Sequence, residues 1–236
     1  MKVEARERRR KLILDQIVGE ALEILATDGY DALTIAHLAG KLGYAVGALY
    51  RYFPSKDALF VHVQSRVLET ARADLVATLE TVDEGLERAR SIDAKQAALV
   101  RVFAAALAHG QLAVKRPAFF ALLSISVSDP RTLVPTEVGK AMLPSLGALS
   151  AEFARVLDEA AKVGALAPGD AMRRAVIFWG AHQGILAMRK LARFGPAALE
   201  AEGMTFDLIA PLLVGWGADD GSLRDLYRRA EKLIAE

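Results

Sequence analysis

The sequence predicts an all-α fold, with a three-helix head carrying a helix-turn-helix and a larger helical body behind it. Three observations predict it. Apolar residues recur at three- and four-residue spacings along almost all of the 236 residues. No stretch alternates apolar and polar residues between turn signals, and no Asn-Gly or Asp-Gly hairpin joins two such stretches. The breaks between periodic stretches, "KRP", "SDPRTLVP", "GALAPGD", "RFGP" and "GADDGS", all carry Gly or Pro.

Each element follows from its residues. From Arg9 to Thr27, apolar positions 14, 17, 18, 21, 22 and 25 make one helical stripe, and Gly29 stands where a left-handed cap stops it. Thr34 is the expected N-cap of a short second helix whose Ile35, Leu38, Ala39 and Leu42 share a face, closed by Gly43. A third helix is expected over 45–52, ended by Pro54, because the residue ahead of proline avoids the helical region. Ser55 caps a fourth, extending to about residue 81. Further helices are expected over about 93–112, 117–128, 137–163, 169–194, 203–215 and 222–235. The head is therefore placed at residues 1–54 and the body at 55–236, joined through the fourth helix rather than a flexible linker.

Composition bounds the function. Hydrophobic residues make up 53% of the chain, ample for a core. The longest apolar runs are broken by charge before the roughly 18 residues of a membrane span, so no membrane segment is expected. "MKVEARERRRKLILDQ" mixes charge into its apolar cluster and does not read as a signal peptide, which makes the cytoplasm the expected location. No cysteine is present, which excludes disulfides and thiolate metal sites. Net charge is +1, yet residues 1–11 hold six basic and two acidic side chains, a local +4. Arg8, Arg9, Arg10 and Lys11 lead into the first helix either as a solvated terminus or as an arm for phosphates or a minor groove.

The stretch "LGYAVGALYRYFPSKDALF" carries the chemistry. Two short helices around a tight glycine turn make a helix-turn-helix, whose second helix lies in the DNA major groove. Ala45, Val46, Gly47 and Ala48 leave its surface smooth enough for close approach to base edges or the sugar-phosphate chain. Tyr44, Tyr50 and Tyr52 flank that surface with hydroxyls for phosphates. Lys56 stands in the first turn of the fourth helix, where free backbone N–H groups also favour an anion. Leu49 and Phe53, four apart, face inward.

The frame Gly29, Thr34, Ala39, Gly43, Gly47, Leu49-Tyr50, Phe53, Ser55-Lys56 and Leu59 resembles the DNA-binding head of the TetR family of bacterial transcription regulators. That resemblance implies phosphate contacts from Thr34, Tyr50, Tyr52 and Lys56, with residues 44–48 facing the bases. Two departures stand out: Ala45 replaces the family's usual Ser, and Ala48 a frequent Thr. Without Arg, Lys, Asn or Gln before Arg51, readout is expected through thymine methyls, main chain, Tyr44 and DNA shape.

For the body, the resemblance implies a homodimer through helices 137–163 and 169–194 and a small-molecule effector pocket. In the latter helix Ala175, Phe178, Trp179, His182, Ile185 and Leu186 overlap on one side, and Gly180 and Gly184 permit close helix approach. Pocket candidates are Phe103, Leu107, Phe119, Phe120, Leu123, Met142, Trp179, His182 and Gln183, a lining suited to a largely apolar ligand. His182 and Gln183 are either satisfied structurally, placed at the dimer interface, or used to orient the ligand, and the last two together are the expected roles.

No enzyme is expected. The four histidines, 37, 62, 109 and 182, are far apart, and no His-Glu-x-x-His pair, nucleophile elbow, Walker loop or dinucleotide fingerprint occurs. Neither a cofactor nor a metal is implied. The expected function is a ligand-responsive repressor that binds a pseudo-palindromic operator in double-stranded DNA as a dimer. The alternative is an interaction protein whose degenerate head does not bind DNA specifically.

Overall fold

Helix is the only regular structure among the described residues, which in this computed structural model are 2–89, 92–128, 131–195 and 201–235. In chain order the helices are α1 (Lys2–Thr27), α2 (Ile35–Leu42), α3 (Val46–Tyr50), α4 (Lys56–Arg88), α5 (Ala94–Lys115) and α6 (Pro117–Ser128). They continue with α7 (Thr136–Gly139), α8 (Leu143–Lys162), α9 (Ala171–Met188), α10 (Ala201–Gly215) and α11 (Leu223–Ala235). Asp129 and Pro130 of the "SDPRTLVP" break and Pro196 of "RFGP" lie outside the described residues.

Two compact units divide the chain, residues 1–68 with 116–146 and residues 69–115 with 147–236. In the first, α1 packs on α2 and α6, and α2 on α3. Its core is built from Ile17, Ile24, Leu25, Leu33, Leu38, Leu49 and Leu59, all essentially inaccessible. In the second, α5 packs against α11, α10 and α9. Phe103 clusters there with Phe206 and Tyr227, their ring centroids 6.1 and 5.4 Å from its own and 5.3 Å from each other. A Cβ on Gly85 of α4 would come 2.5 Å from Leu233 Cδ2 of α11, so the glycine permits that close approach.

Several elements differ from expectation for identifiable reasons. α1 begins at Lys2 rather than Arg9, because "KVEARERRRKL" is rich in good helix formers. α3 is confined to Val46–Tyr50: Tyr52 and Phe53 both donate to Leu49 O, at 2.9 and 3.0 Å, and wind the chain into the turn before Pro54. α4 continues to Arg88, with Thr81 Oγ1 bonding back to Ala77 O inside it. The expected 137–163 helix is interrupted by a 3₁₀ turn at Lys140–Met142, and α8 restarts with Pro144 in its first turn, where a missing N–H costs nothing. The 169–194 helix tightens after Met188 into a 3₁₀ segment, Arg189–Phe194.

The membrane expectation needs correction for α5. By length and composition Ala94–Lys115 could cross a membrane, with a window of mean hydropathy 1.5. That window is 67% buried within the chain, and Arg101 is ion-paired with Asp83. The apolar run here serves as core.

Candidate nucleic-acid interface

Local chemistry builds the helix-turn-helix. Thr34 caps α2, its hydroxyl accepting from His37 N at 3.0 Å and leaving its own O–H to donate. Gly43 closes α2 with φ 68°, Tyr44 N donating to Ala39 O at 2.9 Å and Gly43 N to Gly40 O at 3.3 Å. Ala45 holds the extended N-cap conformation of α3, φ −66° and ψ 137°, without a side-chain hydrogen bond, as the missing hydroxyl demands. Leu49 and Phe53 are buried at 1% and 5% exposure and pin α3 to the head.

The opposite face of α3 is open. Tyr44, Ala45, Val46, Gly47 and Tyr50 are exposed, and Ala48 and Tyr52 are half-buried. Val46 at 41% and Tyr50 at 53% present large apolar area to solvent. Nothing lies within 4 Å of a Cβ built on Gly47, so packing within the chain does not require that glycine. Tyr44 is tethered, its hydroxyl donating to Gln16 Oε1 of α1 at 3.2 Å.

Ser55 caps α4, its Oγ accepting from Ala58 N at 3.1 Å. Lys56 is half-buried: Nζ sits 4.0 Å from the Tyr30 ring centroid and donates to Asp31 O at 3.5 Å. Tyr30 shares its O–H between Leu133 O at 2.7 Å and Asp57 Oδ1 at 3.1 Å. Burial first, then the hydrogen bond to Asp57 and its charge, push the phenol up to about 12. Arg131 pairs with Asp31 at 3.1 Å beside it. Sequence reasoning missed Tyr30, because its partners lie far along the chain. His37 is exposed.

Among the body candidates, one set meets. His182 and Gln183 of α9 are buried at 0% and 2% exposure, and His109 of α5 and Thr205 of α10 close on them. His109 Nε2 lies 2.9 Å from Gln183 Oε1, the two Nδ1 atoms are 3.2 Å apart, and His182 Nε2 is 3.0 Å from Thr205 Oγ1. The donors run one way. Gln183 Oε1 only accepts, so His109 Nε2–H donates to it; His182 Nδ1–H then donates to His109 Nδ1, and Thr205 O–H to His182 Nε2. Both imidazoles are neutral in this row. Burial lowers His109 to about 4, and burial with the charge of His109 lowers His182 to about 3. The histidines at 109 and 182, distant in sequence, are thus in contact, which corrects the expectation that all four stand apart. Among the described residues no group of three or more His, Cys, Asp or Glu could hold a metal.

The remaining pocket candidates divide between the units. Phe119, Phe120, Leu123 and Met142 belong to the first, with Leu123 buried and the others half-buried. Phe103, Leu107 and Trp179 belong to the second, where Trp179 stacks on His109 with centroids 6.3 Å apart. On α9, Ala175, Phe178, His182 and Leu186 face inward. Its other side carries Met172, Val176, Gly180, Gly184 and Met188 at four-residue intervals, with Ile177 beside them, all exposed. Gly147, Ala148 and Ala151 give α8 an exposed face of small residues.

Residues 17–63 match the family model described as bacterial regulatory proteins, tetR family. The HTH-type transcriptional repressor KstR of Mycolicibacterium smegmatis is 44% identical over 66 residues, 28% of this chain and 30% of that one. Matches to the KstR repressors cover about 30% of the length of those curated relatives. The fold is similar to that of the fatty acid degradation regulator FadR from Bacillus halodurans, at TM-score 0.65 and 14% identity, over 87% of this chain and 97% of that one. It is also similar to FadR of Bacillus subtilis, solved in complex with stearoyl-CoA, at TM-score 0.58 and 15% identity, over 85% and 97%.

Proposed function

We propose, from the match of residues 17–63 to the tetR family of bacterial regulatory proteins, that this chain is a dimeric transcriptional repressor released from DNA by a small, largely apolar effector. The observation that carries this reading is the open face of α3, where residues 44–47 and Tyr50 are exposed although three of them are large and apolar. A contiguous exposed apolar patch marks an interaction site, and the head also carries Thr34, Tyr50, Tyr52 and Lys56, groups that bond phosphate oxygens. Residues 1–54 are assigned to DNA binding and residues 55–236 to effector binding and dimerisation. The duplex is met in the cytoplasm.

Dimerisation is assigned to the exposed stripe of α9 with the small-residue face of α8. Two glycines four apart let a second copy's helix approach closely, and the apolar side chains around them are withdrawn from water on pairing. Effector contacts are assigned to Phe103, Leu107 and Trp179 in the second unit and, separately, to Phe119, Phe120, Leu123 and Met142 in the first. His182 and Gln183 are already satisfied by His109 and Thr205, which favours a structural role for them over ligand orientation. α4 begins in one unit and ends in the other, so a shift of α4 on effector binding would change the separation of the paired α3 helices. A coupling of about 1–3 kcal/mol changes operator affinity by roughly 5- to 150-fold.

Selection of bound fragments from a bacterial genome with purified protein tests the reading. A recurrent palindromic sequence is expected, with half-sites about one helical turn apart. Recovery of fragments no better than chance, at any salt, would leave the interaction-protein alternative standing.

A further inference from the structure

A second cationic surface adjoins the open face of α3. A cleft of about 900 Å³ is lined by Arg6, Glu7, Arg9, Arg10, Ile13 and Ile17 of α1 and by Tyr44, Ala48, Leu49, Arg51 and Tyr52 at α3. The α1 residues obey helical geometry. At about 100° per residue, positions 6, 9, 10, 13 and 17 fall on one face, while Arg8 and Lys11 point to the other side. This face is buried at Ile17, half-buried at Ile13, and exposed at Arg10, Arg9 and Arg6. The stripe that anchors α1 in the head's core therefore turns from isoleucine to arginine as the helix leaves that core, and it does so alongside the recognition helix.

The charges in this cleft are not neutralised. Among the described residues, none of Arg6, Arg9, Arg10 and Arg51 is paired with a carboxylate. Five arginines outside the cleft do find carboxylates: Arg66 with Asp15, Arg72 with Glu152, Arg131 with Asp31, Arg155 with Glu159 and Arg224 with Asp207. Four guanidiniums against the single carboxylate of Glu7 leave an excess of positive charge in one concavity, and guanidinium is the group that binds phosphate oxygens in pairs.

We propose that this cleft seats a DNA sugar-phosphate backbone, so that α1 and α3 grip the same duplex and Arg6, Arg9, Arg10 and Arg51 add phosphate contacts to those of Tyr50, Tyr52 and Lys56. The inference rests on the DNA-binding reading above. It assigns the N-terminal turns of α1 an oriented role, in which three arginines face the backbone while Arg8 and Lys11 face away.

The test needs no operator, because phosphate contacts are independent of sequence. Affinity for a mixed-sequence duplex is measured by fluorescence anisotropy between 50 and 200 mM salt for four proteins (the unaltered chain; Arg6→Ala with Arg9→Ala and Arg10→Ala; Arg8→Ala with Lys11→Ala; Lys56→Ala). Removing one phosphate-bound cation flattens the slope of log affinity against log salt by about 0.9. The triple variant is expected to flatten it by about two to three and the Arg8/Lys11 pair by less than one. Alanine is the best helix former, so α1 persists in both. Equal flattening per charge in the two variants would mean diffuse attraction and overturn the proposal, as would an unchanged slope in the triple variant. Absence of duplex binding by the unaltered chain, or an unchanged slope for Lys56→Ala, would instead strike the DNA-binding reading itself. A calorimetric titration with pyrophosphate separates the other source of phosphate: saturable binding lost in the triple variant, beside an unaltered duplex slope, would assign the cleft to a free phosphate compound and overturn the DNA assignment.

Discussion

Lys56 Nζ rests 4.0 Å from the centroid of the Tyr30 ring, and the hydroxyl of that ring is held by Leu133 O at 2.7 Å. The ring orients the cation, while the hydroxyl fixes the ring. The two functions separate by substitution. Tyr30→Phe keeps the ring and should lower stability by about 1 kcal/mol with little effect on duplex affinity. Tyr30→Leu removes a cation–π contact worth about 0.5–1 kcal/mol and should also weaken duplex binding a few-fold. Anisotropy with a mixed-sequence duplex and urea unfolding give both numbers. Equal duplex affinities in the two variants would deny Tyr30 any part in placing Lys56.

Ala45 has the backbone of an N-cap and no side chain to act as one. Ala45→Ser should restore the missing acceptor for the first N–H groups of α3 and raise stability by about 0.5–2 kcal/mol. A urea midpoint that stays put would mean those groups are better served by water than by a hydroxyl.

The row from Thr205 to Gln183 holds two neutral histidines, and its pH dependence has a definite sign. Folded values of about 4 for His109 and about 3 for His182 lie below the ordinary value of 6.5. In the window between, the unfolded chain binds more protons, so the stability these groups contribute is complete above about pH 6.5 and drains as pH falls. The gradient is about 1.4 kcal/mol per pH unit for each histidine. Urea unfolding at pH 7, 6 and 5 should follow it; a flat profile would mean that the pair is hydrated or already charged in the native chain.

Gly184 is exposed, and nothing lies within 4 Å of a Cβ built there. Gly184→Arg should therefore leave the subunit folded while placing bulk and charge on the stripe assigned to dimerisation. Sedimentation velocity is expected to show a shift from dimer to monomer, and a species of unchanged mass would move the interface elsewhere.

The head was legible because its signals are local. Thr34, Gly43, Ser55 and Pro54 act on residues within four positions, and the Leu49–Phe53 spacing states which side of α3 is buried. Interactions across long sequence separations were not legible. His109 and His182 are 73 residues apart and Tyr30 and Leu133 are 103 apart, and no periodicity encodes such meetings. His109 did carry one signal: with Gln111 it is one of two polar residues in the otherwise apolar stretch "VFAAALAHGQLA", much as His182 and Gln183 stand out in theirs. The overhang of α1 was missed because its charges hide a continuous helix from an apolar-stripe argument. α5 shows the converse failure, since hydropathy alone does not say whether an apolar helix is covered by protein or by lipid.

The first eleven residues carry +4 on a chain whose total is +1, so the other 225 sum to −3. Such a molecule is a lopsided ion rather than a neutral one. Within a Debye length of roughly 8 Å at physiological ionic strength, a polyanion pulls on one end and pushes on the rest. The resulting torque presents the tip of α1 before any side chain has touched its target, and added electrolyte should slow the encounter as well as loosen the grip.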